Sequence, residues 1–261
     1  MTLPALPEAF YWTGETWGAA LRCRPLETIA SHLFTTRQLA LSPGGEGYPQ
    51  LAASIGAREV ARANQVHGNA VVTVRRGLWR GENPVDADVL VSDDPAIAVA
   101  VRSADCVPLL LADPATGAVA AVHAGWRGTA ARVAVAAIDA LSREFGARAA
   151  DLVAAIGPSI GPCCYDVGPE LVDAFAAAGH ERHLIQRWFA TPPPPRGSRE
   201  PTRLRLDVAG ANRDQLVLAG VPEKNIHLSG LCTAMHLEVL TSYRVEKEKA
   251  GRIAGVIRAR E

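Results

Sequence analysis

Residues 87–123 carry the clearest structural signal in the chain and read ADVLVSDDPAIAVAVRSADCVPLLLADPATGAVAAVH. Short apolar runs in and just before this stretch are separated by Gly, Asp and Pro, which is the pattern of successive buried strands. The runs are VVTV (71–74), ADVLVS (87–92), AIAVAV (96–101), VPLLLA (107–112) and AVAAVH (118–123). They predict a packed sheet.

Helical signals alternate with further strand signals after this stretch. Residues 129–145 are rich in alanine, and Val133, Ala137 and Leu141 recur every four residues, which predicts a helix with one buried face. The sequence also predicts strands at 151–156, 203–207, 225–229 and 252–257. It predicts two more helices, one that begins near Pro169 and one over 208–219 with Asp207 as its N-cap. Because the order lacks a steady βαβ rhythm, we predict an α+β fold with mixed β-sheets flanked by helices.

The segment TPPPPRGSREPT (191–202) contains four consecutive prolines, which exclude a helix or a central strand. It could link two domains. Strand and helix signals of the same kind resume directly after it, so we favour an extended surface loop within one domain.

Composition excludes several classes of protein. The 261 residues include 27 Lys and Arg against 27 Asp and Glu, so no broad field attracts a polyanion, and we predict neither nucleic-acid nor membrane binding. No apolar run reaches the roughly 18 residues of a membrane span, and residues 1–17 lack the pattern of a secretory signal. Five cysteines, an odd number, argue against a disulfide framework. We therefore expect a cytoplasmic protein.

Three short segments combine ligand-type residues with turn-forming ones: QVHG (65–68), SADCVP (103–108) and VHAGWRG (122–128). Each lies at the edge of a predicted strand, where side chains often face clefts. If His67, Cys106 and His123 converge, two imidazoles and a thiolate form a donor set that suits Zn²⁺ or Cu⁺. Three protein ligands leave one position open, as in catalytic zinc sites.

The same residues allow two other interpretations. Cys106 could act as a nucleophilic thiolate, with His123 as its base and Asp105 or another acid as the group that orients the histidine. Alternatively, Cys106 is a small buried hydrophobe, His123 a hydrogen-bonded residue at a strand end, and His67 a surface residue. The spacing of the residues alone does not separate these interpretations.

Two arginines lie in turns rich in Thr or Gly, where anion binding is common. Arg37 follows Phe-Thr-Thr, and Arg127 lies between Trp126 and Gly128, so both could bind phosphate or could simply be surface residues. Adjacent cysteines seldom bind one metal ion together, and the sequence assigns no role to Cys163, Cys164 or Cys232.

Several of these motifs together resemble the laccase-domain family. This family was first labelled a multicopper polyphenol oxidase and is now regarded as purine nucleoside phosphorylases with adenosine deaminase activity. The resemblance covers about Phe34 to the C-terminus and is carried by NQVHG (64–68), SADCVPLLL (103–111), VHAGWRG (122–128), IGPSIGPCCYDVG (156–168), SGLCT (229–233) and TSYR (241–244).

The resemblance implies specific roles for the residues that match the motifs. It implies metal ligands at His67, Cys106 and His123 and an anion-binding residue at Arg37. The implied fold is a single α+β domain over residues 1–261, with roughly the first 30 residues peripheral to it.

The implied activity is that of a zinc-dependent purine nucleoside phosphorylase, with copper as the other possible metal and adenosine deamination as a side activity. Its partners would be phosphate and purine nucleosides of the adenosine, inosine, guanosine and methylthioadenosine class. Cys106, His123 and Asp105 are then the catalytic candidates, with Asp105 as an acid or base, and Arg37 and Arg127 are the phosphate-binding candidates.

Other functions remain as alternatives. A copper-dependent polyphenol oxidase needs many histidines in H-x-H pairs, whereas this chain has seven histidines and no such pair. A thiol amidase or hydrolase built on Cys106 and His123 is a second alternative, and a metal-binding scaffold without enzymatic activity is a third. The sequence makes no prediction of oligomeric state.

Overall fold

Two six-stranded sheets form the framework of the protein. The computed structural model describes residues 3–42, 44–79, 81, 85–191 and 203–260. The strands are β1 (Phe10–Glu15), β2 (Gly18–Cys23), β3 (Ala30–Thr35), β4 (Glu59–Ala61), β5 (Val71–Val74), β6 (Val89–Ser92), β7 (Ile97–Ser103), β8 (Val107–Ala112), β9 (Val119–Ala124), β10 (Val153–Ile156), β11 (Asp166–Val167), β12 (Phe189–Ala190), β13 (Leu204–Leu206), β14 (Ile226–Leu228) and β15 (Ile253–Ala259). The helices are α1 (Arg24–Glu27), α2 (Tyr48–Ser54), α3 (Trp126–Ala130), α4 (Val133–Phe145), α5 (Glu170–Ala177), α6 (Arg182–Trp188), α7 (Val208–Leu218) and α8 (Tyr243–Glu246).

The strand order of both large sheets differs from the order along the chain. The first sheet has the order β1-β2-β3-β15-β7-β4, and the second has the order β14-β10-β8-β9-β6-β5. Neighbouring strands are antiparallel except at β4 with β7, β5 with β6 and β10 with β14. A small third sheet has the order β11-β13-β12. Mixed sheets with flanking helices confirm the predicted α+β class.

The central strands of the second sheet are almost entirely apolar because both of their faces are buried. Along β8, Leu109 packs in the same core cluster as Val133 of α4. The next residue, Leu110, packs in a different cluster with Val99 and Ile257 of the first sheet. Successive strand side chains point to opposite faces, so the second sheet lies between the first sheet and a layer of helices that includes α4 and α7. Helix α2 packs instead against the first sheet.

The strands predicted between 71 and 123 do not all belong to one sheet. The sequence predicted one packed sheet from 71 to 123, but β7 pairs with β15 and β4 in the first sheet, while β5, β6, β8 and β9 form part of the second. The chain therefore passes from one sheet to the other at residues 104–106. This crossing contains Cys106.

The predicted helix over 129–145 is interrupted. Its main part is α4, but Arg132 has a left-handed backbone conformation with φ of 57°, which separates α4 from α3. The Arg132 guanidinium donates to the carbonyls of Ala178 and Gly179 at 2.8 and 2.9 Å. These contacts, made 46 and 47 residues away in sequence, help to hold a conformation that costs energy for a non-glycine residue.

Other local predictions are confirmed at the level of single residues. Asp207 is the N-cap of α7, and its Oδ1 accepts a hydrogen bond from the Gly210 amide at 2.8 Å. The N-terminal strands β1 and β2 lie at one edge of the first sheet, and Phe10 and Leu21 on them are buried in the core. That roughly the first 30 residues are peripheral to the domain stays a prediction. The predicted proline-rich loop falls, from residue 192 to 202, outside the described residues. Among the helices described, none is long and apolar enough to cross a membrane.

Candidate functional site

The pairing of β8 with β9 brings Cys106 towards His123. In this antiparallel ladder Pro108 lies opposite His123 and Val107 lies opposite Ala124. Cys106 directly precedes β8 and Gly125 directly follows β9, so both residues lie at the same end of the strand pair. The strand register therefore places the thiol at the edge where the histidine-bearing strand ends.

Asp88 holds His67 beside this strand end. The Asp88 carboxylate accepts hydrogen bonds from the main-chain amides of His67 at 3.0 Å and Gly68 at 2.6 Å. The same carboxylate lies 2.7 Å from Nδ1 of His123. Asp88 is completely buried, and it directly precedes β6, the strand next to β9. One carboxylate thus positions two segments that are far apart in sequence.

The three side chains converge closely enough to bind one metal ion. One ligand atom from each of His67, Cys106 and His123 lies within 4.8 Å of the others. Because Nδ1 of His123 is bonded to Asp88, the nitrogen available to a metal ion is Nε2. A Cβ atom added to Gly125 would lie only 2.9 Å from Cδ2 of His67 and 3.0 Å from Sγ of Cys106. Glycine at this position is thus what allows the three donors to approach each other.

The cluster lies in a cavity of about 620 Å³. Its cationic lining residues are Arg102, Arg244, Lys247 and Arg252, and its aromatic ones are Trp126, Tyr165 and Tyr243. Other residues in the lining include Gln65, Ser103, Ala104, Asp105, Gly125, Ile160 and Val208. This volume is within the range of roughly 300–1,000 Å³ that is usual for small-molecule sites.

Hydrogen bonding changes the acidity of the buried groups in the cluster. Burial of Cys106 opposes its ionisation, but hydrogen bonds and charges from His123 and His67 outweigh burial and lower the pKa of the thiol to about 6. Burial likewise opposes protonation of His123, but Asp88 and Cys106 raise the pKa of its imidazole to about 9. The pKa of Asp88 is lowered against the effect of burial by the bonds from His123, Gly68 and His67. These groups favour charged forms in a buried place, which is characteristic of functional sites.

Asp105 lies in the cavity wall, and both of its carboxylate oxygens are engaged. Oδ1 accepts a hydrogen bond from the Thr233 hydroxyl at 2.6 Å, and Oδ2 accepts one from the Arg244 amide at 2.6 Å. Its backbone φ is 92°, and its carbonyl accepts the Ile160 amide at 2.9 Å. Asp105 therefore ties the segment before Cys106 to three other segments, two of which line the cavity through Ile160 and Arg244.

A family model matches the part of the chain that carries the sequence motifs. The family described as multi-copper polyphenol oxidoreductase laccase matches residues 46–260. The chain belongs to this family. The match includes the segments that carry His67, Asp88, Cys106 and His123, so the whole cluster lies within the family domain.

Individual relatives in this family carry enzyme names. A purine nucleoside phosphorylase from Deinococcus radiodurans is 35% identical over 246 residues, which cover 87% of this chain and 88% of the relative. A protein named adenosine deaminase RL5, from an unknown prokaryotic organism, is 37% identical over 66% of this chain and 62% of its own length. The crystal structure of YlmD from Geobacillus stearothermophilus is similar with a TM-score of 0.79 and 29% identity, and it covers 96% of this chain and 99% of its own. Enzymatic activity is thus supported for the family as a whole.

The two arginines proposed from sequence as phosphate ligands are not among the residues that line the cavity. Arg37 donates to the carbonyls of Leu237 and Leu240 and forms an ion pair with Glu246 at 2.9 Å. The Arg127 guanidinium lies over the ring of Trp126, with its Cζ atom 4.3 Å from the ring centroid. Trp126, rather than Arg127, is the member of this pair that contacts the cavity.

Sequence reasoning missed two kinds of residue in the site. Asp88 lies inside the apolar run 87–92. An acidic residue among apolar neighbours that are expected to be buried was the only sign in the sequence that Asp88 has a role in the site. Arg244 belongs to the quoted TSYR motif but was given no role, and its guanidinium lies over the Tyr165 ring with Cζ 5.1 Å from the centroid. Nη1 of Arg244 also donates to the Asp166 carbonyl at 2.8 Å, which fixes the arginine in the wall.

Proposed function

We propose that this protein is a Zn²⁺-dependent purine nucleoside phosphorylase that also deaminates adenosine. The observation that carries the proposal is the convergence of His67, Cys106 and His123 within 4.8 Å in a cavity lined by cationic and aromatic side chains. The names of the family relatives support the same conclusion.

The donor set fits a catalytic zinc ion. Two imidazoles and one thiolate are ligands that zinc prefers, and three protein ligands leave an open position for a reactant. The bond between His123 and Asp88 is the carboxylate contact that usually orients a metal-binding histidine. When bound, Zn²⁺ supplies a Lewis acid that makes water acidic enough to act as a nucleophile near neutral pH, as deamination requires.

Phosphorolysis requires a phosphate ion held beside the ribose. A phosphate oxygen forms a bond to C1′ as the bond from C1′ to the purine nitrogen breaks, and the departing purine takes up a proton. Positive charge builds on the sugar, and the attacking phosphate needs cationic partners. Arg244 and the other cationic residues of the cavity supply this charge more directly than Arg37 or Arg127, because they line the cavity itself.

The remaining lining residues suit a purine nucleoside. The rings of Trp126, Tyr165 and Tyr243 offer apolar faces on which a purine can stack. Burial raises the pKa of Tyr165 to about 12, so its hydroxyl remains neutral and can donate a hydrogen bond. Both carboxylate oxygens of Asp105 already accept hydrogen bonds, one of them from the main-chain amide of Arg244. Asp105 is therefore better suited to position Arg244 than to transfer a proton.

A second candidate is a thiol hydrolase that uses Cys106 as its nucleophile. One observation favours it: the carboxylate of Asp88 is hydrogen-bonded to Nδ1 of His123. In a thiol hydrolase, Cys106 would be the nucleophile, His123 the base beside it and Asp88 the acid that orients the base. Both candidates predict that Cys106→Ser abolishes activity. Only the zinc enzyme loses activity when a tight chelator removes metal.

One assay tests both candidates. Purified metal-replete protein is incubated with adenosine, with and without phosphate, and the products are separated by chromatography. We expect inosine under both conditions, and adenine with ribose 1-phosphate only when phosphate is present. A chelator should stop both reactions, and added Zn²⁺ should restore them. Absence of adenine, inosine and hypoxanthine under all conditions would overturn the proposal. Hydrolysis of adenosine to inosine that continues in the presence of the chelator would favour the thiol mechanism.

A further inference from the structure

A second group of three sulfur atoms lies outside the cavity lining. One Sγ atom from each of Cys163, Cys164 and Cys232 lies within 4.8 Å of the others. Cys163 is exposed, Cys164 is half-buried and Cys232 is buried. The two adjacent cysteines precede β11, whereas Cys232 follows β14, so the fold and not the sequence brings the three together. Adjacent cysteines seldom bind one metal ion by themselves, and the third sulfur from a distant segment is what makes this pair a candidate site.

Main-chain hydrogen bonds hold the two cysteine segments in register. Ser159 and Cys232 form an isolated parallel bridge. The Ser159 amide donates to the Leu231 carbonyl at 3.2 Å, and the Thr233 amide donates to the Ser159 carbonyl at 3.0 Å. The bridge therefore holds the chain just before the two adjacent cysteines alongside Cys232.

One of the three sulfur atoms accepts a main-chain hydrogen bond. The Gly161 amide donates to Sγ of Cys232 at 3.2 Å. Hydrogen bonds from surrounding groups are usual around metal ligands. The bond also directs Cys232 towards the loop that carries Cys163 and Cys164.

The spacing of the sulfur atoms fits a single soft cation. With Zn–S bonds of ~2.3 Å, two sulfur ligands of one tetrahedral ion are ~3.8 Å apart, so small rotations of the side chains complete the site. A disulfide between any two of the cysteines would leave the third unused, whereas a metal ion uses all three. The exposed Cys163 provides a path for the ion from solvent.

We propose that Cys163, Cys164 and Cys232 form a three-sulfur site for a soft cation, Cu⁺ or Zn²⁺, separate from the site of His67, Cys106 and His123. Thiolate ligands select these two ions over Mg²⁺ or Ca²⁺. Three sulfur atoms complete a trigonal site for Cu⁺, and Zn²⁺ would take a water molecule as its fourth ligand.

The bound ion would stabilise one wall of the cavity. Ile160 and Tyr165, which flank the two adjacent cysteines, line the cavity. On the other side of the cluster, the Thr233 hydroxyl donates to Asp105. An ion at the three-sulfur site would therefore link a segment that lines the cavity to a segment that holds the lining residue Asp105, without itself touching a substrate.

The test counts metal ions in proteins whose cavity site has been disabled. The parent is the His67→Ala/Cys106→Ser protein, and the test protein carries Cys163→Ser and Cys164→Ser in addition. Both are kept reduced and oxygen-free and are titrated with Cu⁺ against a chromophoric Cu⁺ chelator, and separately with Zn²⁺ against a zinc chelator. We expect one equivalent of at least one ion in the parent, with ultraviolet sulfur-to-metal absorption for Cu⁺, and none in the test protein.

Control variants separate ligand loss from misfolding. Cys23→Ala in the parent removes a buried thiol outside both clusters and should leave the binding stoichiometry unchanged. Cys163→Ser alone changes only the exposed member and should weaken binding at least tenfold while the circular dichroism spectrum remains that of the parent. The proposal is wrong if the parent binds neither ion or if the test protein binds as the parent does.

Discussion

Asp88 and His123 are hydrogen-bonded to each other twice. Oδ1 of Asp88 lies 2.7 Å from Nδ1 of His123, and the His123 amide donates to the Asp88 carbonyl at 2.8 Å. The first contact fixes the orientation of the imidazole, and the second belongs to the pairing of β6 with β9. Because Asp88 also binds the amides of His67 and Gly68, the position of both histidines depends on this one residue.

Replacing Asp88 by Asn should weaken metal binding roughly 10- to 100-fold, because the charge that orients His123 and favours its metal-binding tautomer is lost. Competition with a zinc chelator measures the affinity. The exposed Asp139 on α4 provides a matched control, and Asp139→Asn should bind zinc as the unchanged protein does. Equal zinc affinities for the two variants would contradict the role given to Asp88.

Gly125→Ala should impair the metal site by steric conflict alone. The backbone φ of Gly125 is −74°, which alanine adopts freely, but the new Cβ would lie 2.9 Å from Cδ2 of His67 and 3.0 Å from Sγ of Cys106. We expect metal affinity to fall about tenfold or more, since ligands must be held in their productive geometry. The control is Gly14→Ala, whose Cβ would meet no atom within 4 Å. If the affinities of the two variants are alike, the close approach at Gly125 is not needed for binding.

The buried His32 should make the protein less stable in mild acid. The Cys23 amide donates to Nε2 of His32 at 2.8 Å, and burial lowers the pKa of this histidine from 6.5 to about 4. The stabilisation from its neutral form is complete above pH 6.5 and is lost as the pH falls towards 4. The pKa of His32 differs between the unfolded and folded states by the shift from 6.5 to about 4. At about 1.4 kcal/mol per pKa unit, the free energy of unfolding falls by about 3 kcal/mol over this pH range.

Urea unfolding at a series of pH values between 7.5 and 4 measures this loss. In His32→Gln, the amide oxygen can still accept the bond from Cys23, but the side chain does not titrate. The variant should be less stable than the unchanged protein at pH 7.5, and its free energy of unfolding should fall less steeply with acid. Parallel pH curves for the two proteins would show that His32 is not the group responsible.

Arg244→Gln should raise the KM for phosphate in the phosphorolysis of adenosine. Loss of a charged hydrogen bond of about 1.5–3 kcal/mol corresponds to a change of roughly 10- to 100-fold. Deamination consumes no phosphate, so its rate in the same variant is an internal control for the integrity of the cavity. Arg148→Gln, at an exposed arginine paired with Asp151, should leave both reactions unchanged. A normal phosphate KM in Arg244→Gln would move the phosphate site elsewhere.

Local structure was predictable where its cause, an apolar run or a helix cap, lies within a few residues of sequence. The predicted strands 71–74 and 107–112 have the observed bounds of β5 and β8, because each is an apolar run that ends at a turn signal. The cap at Asp207 was predictable for a similar reason, since its acceptor and donor are three residues apart. The strand predicted at 96–101 corresponds to β7 (Ile97–Ser103), but its sheet was not predicted, because its partners are 59–61 and 253–259.

The amino-acid sequence by itself determined the chemistry available to the site. Two histidines and a cysteine at strand edges supply donor atoms that suit a soft metal ion, and the motifs around them indicated the family. Their convergence depends on Asp88 and on the register of β8 with β9, which the spacing of residues along the chain does not encode.

Tertiary structure alone decided which charged residues face the cavity and which cysteines meet. Arg244 lines the cavity whereas Arg37 is bonded to Glu246, and Cys232 joins Cys163 and Cys164 across 69 and 68 residues of chain. The physical reason is that these contacts form between segments brought together by strand pairing and core packing. A sequence pattern reports which faces are buried, but it does not report which distant segment covers them.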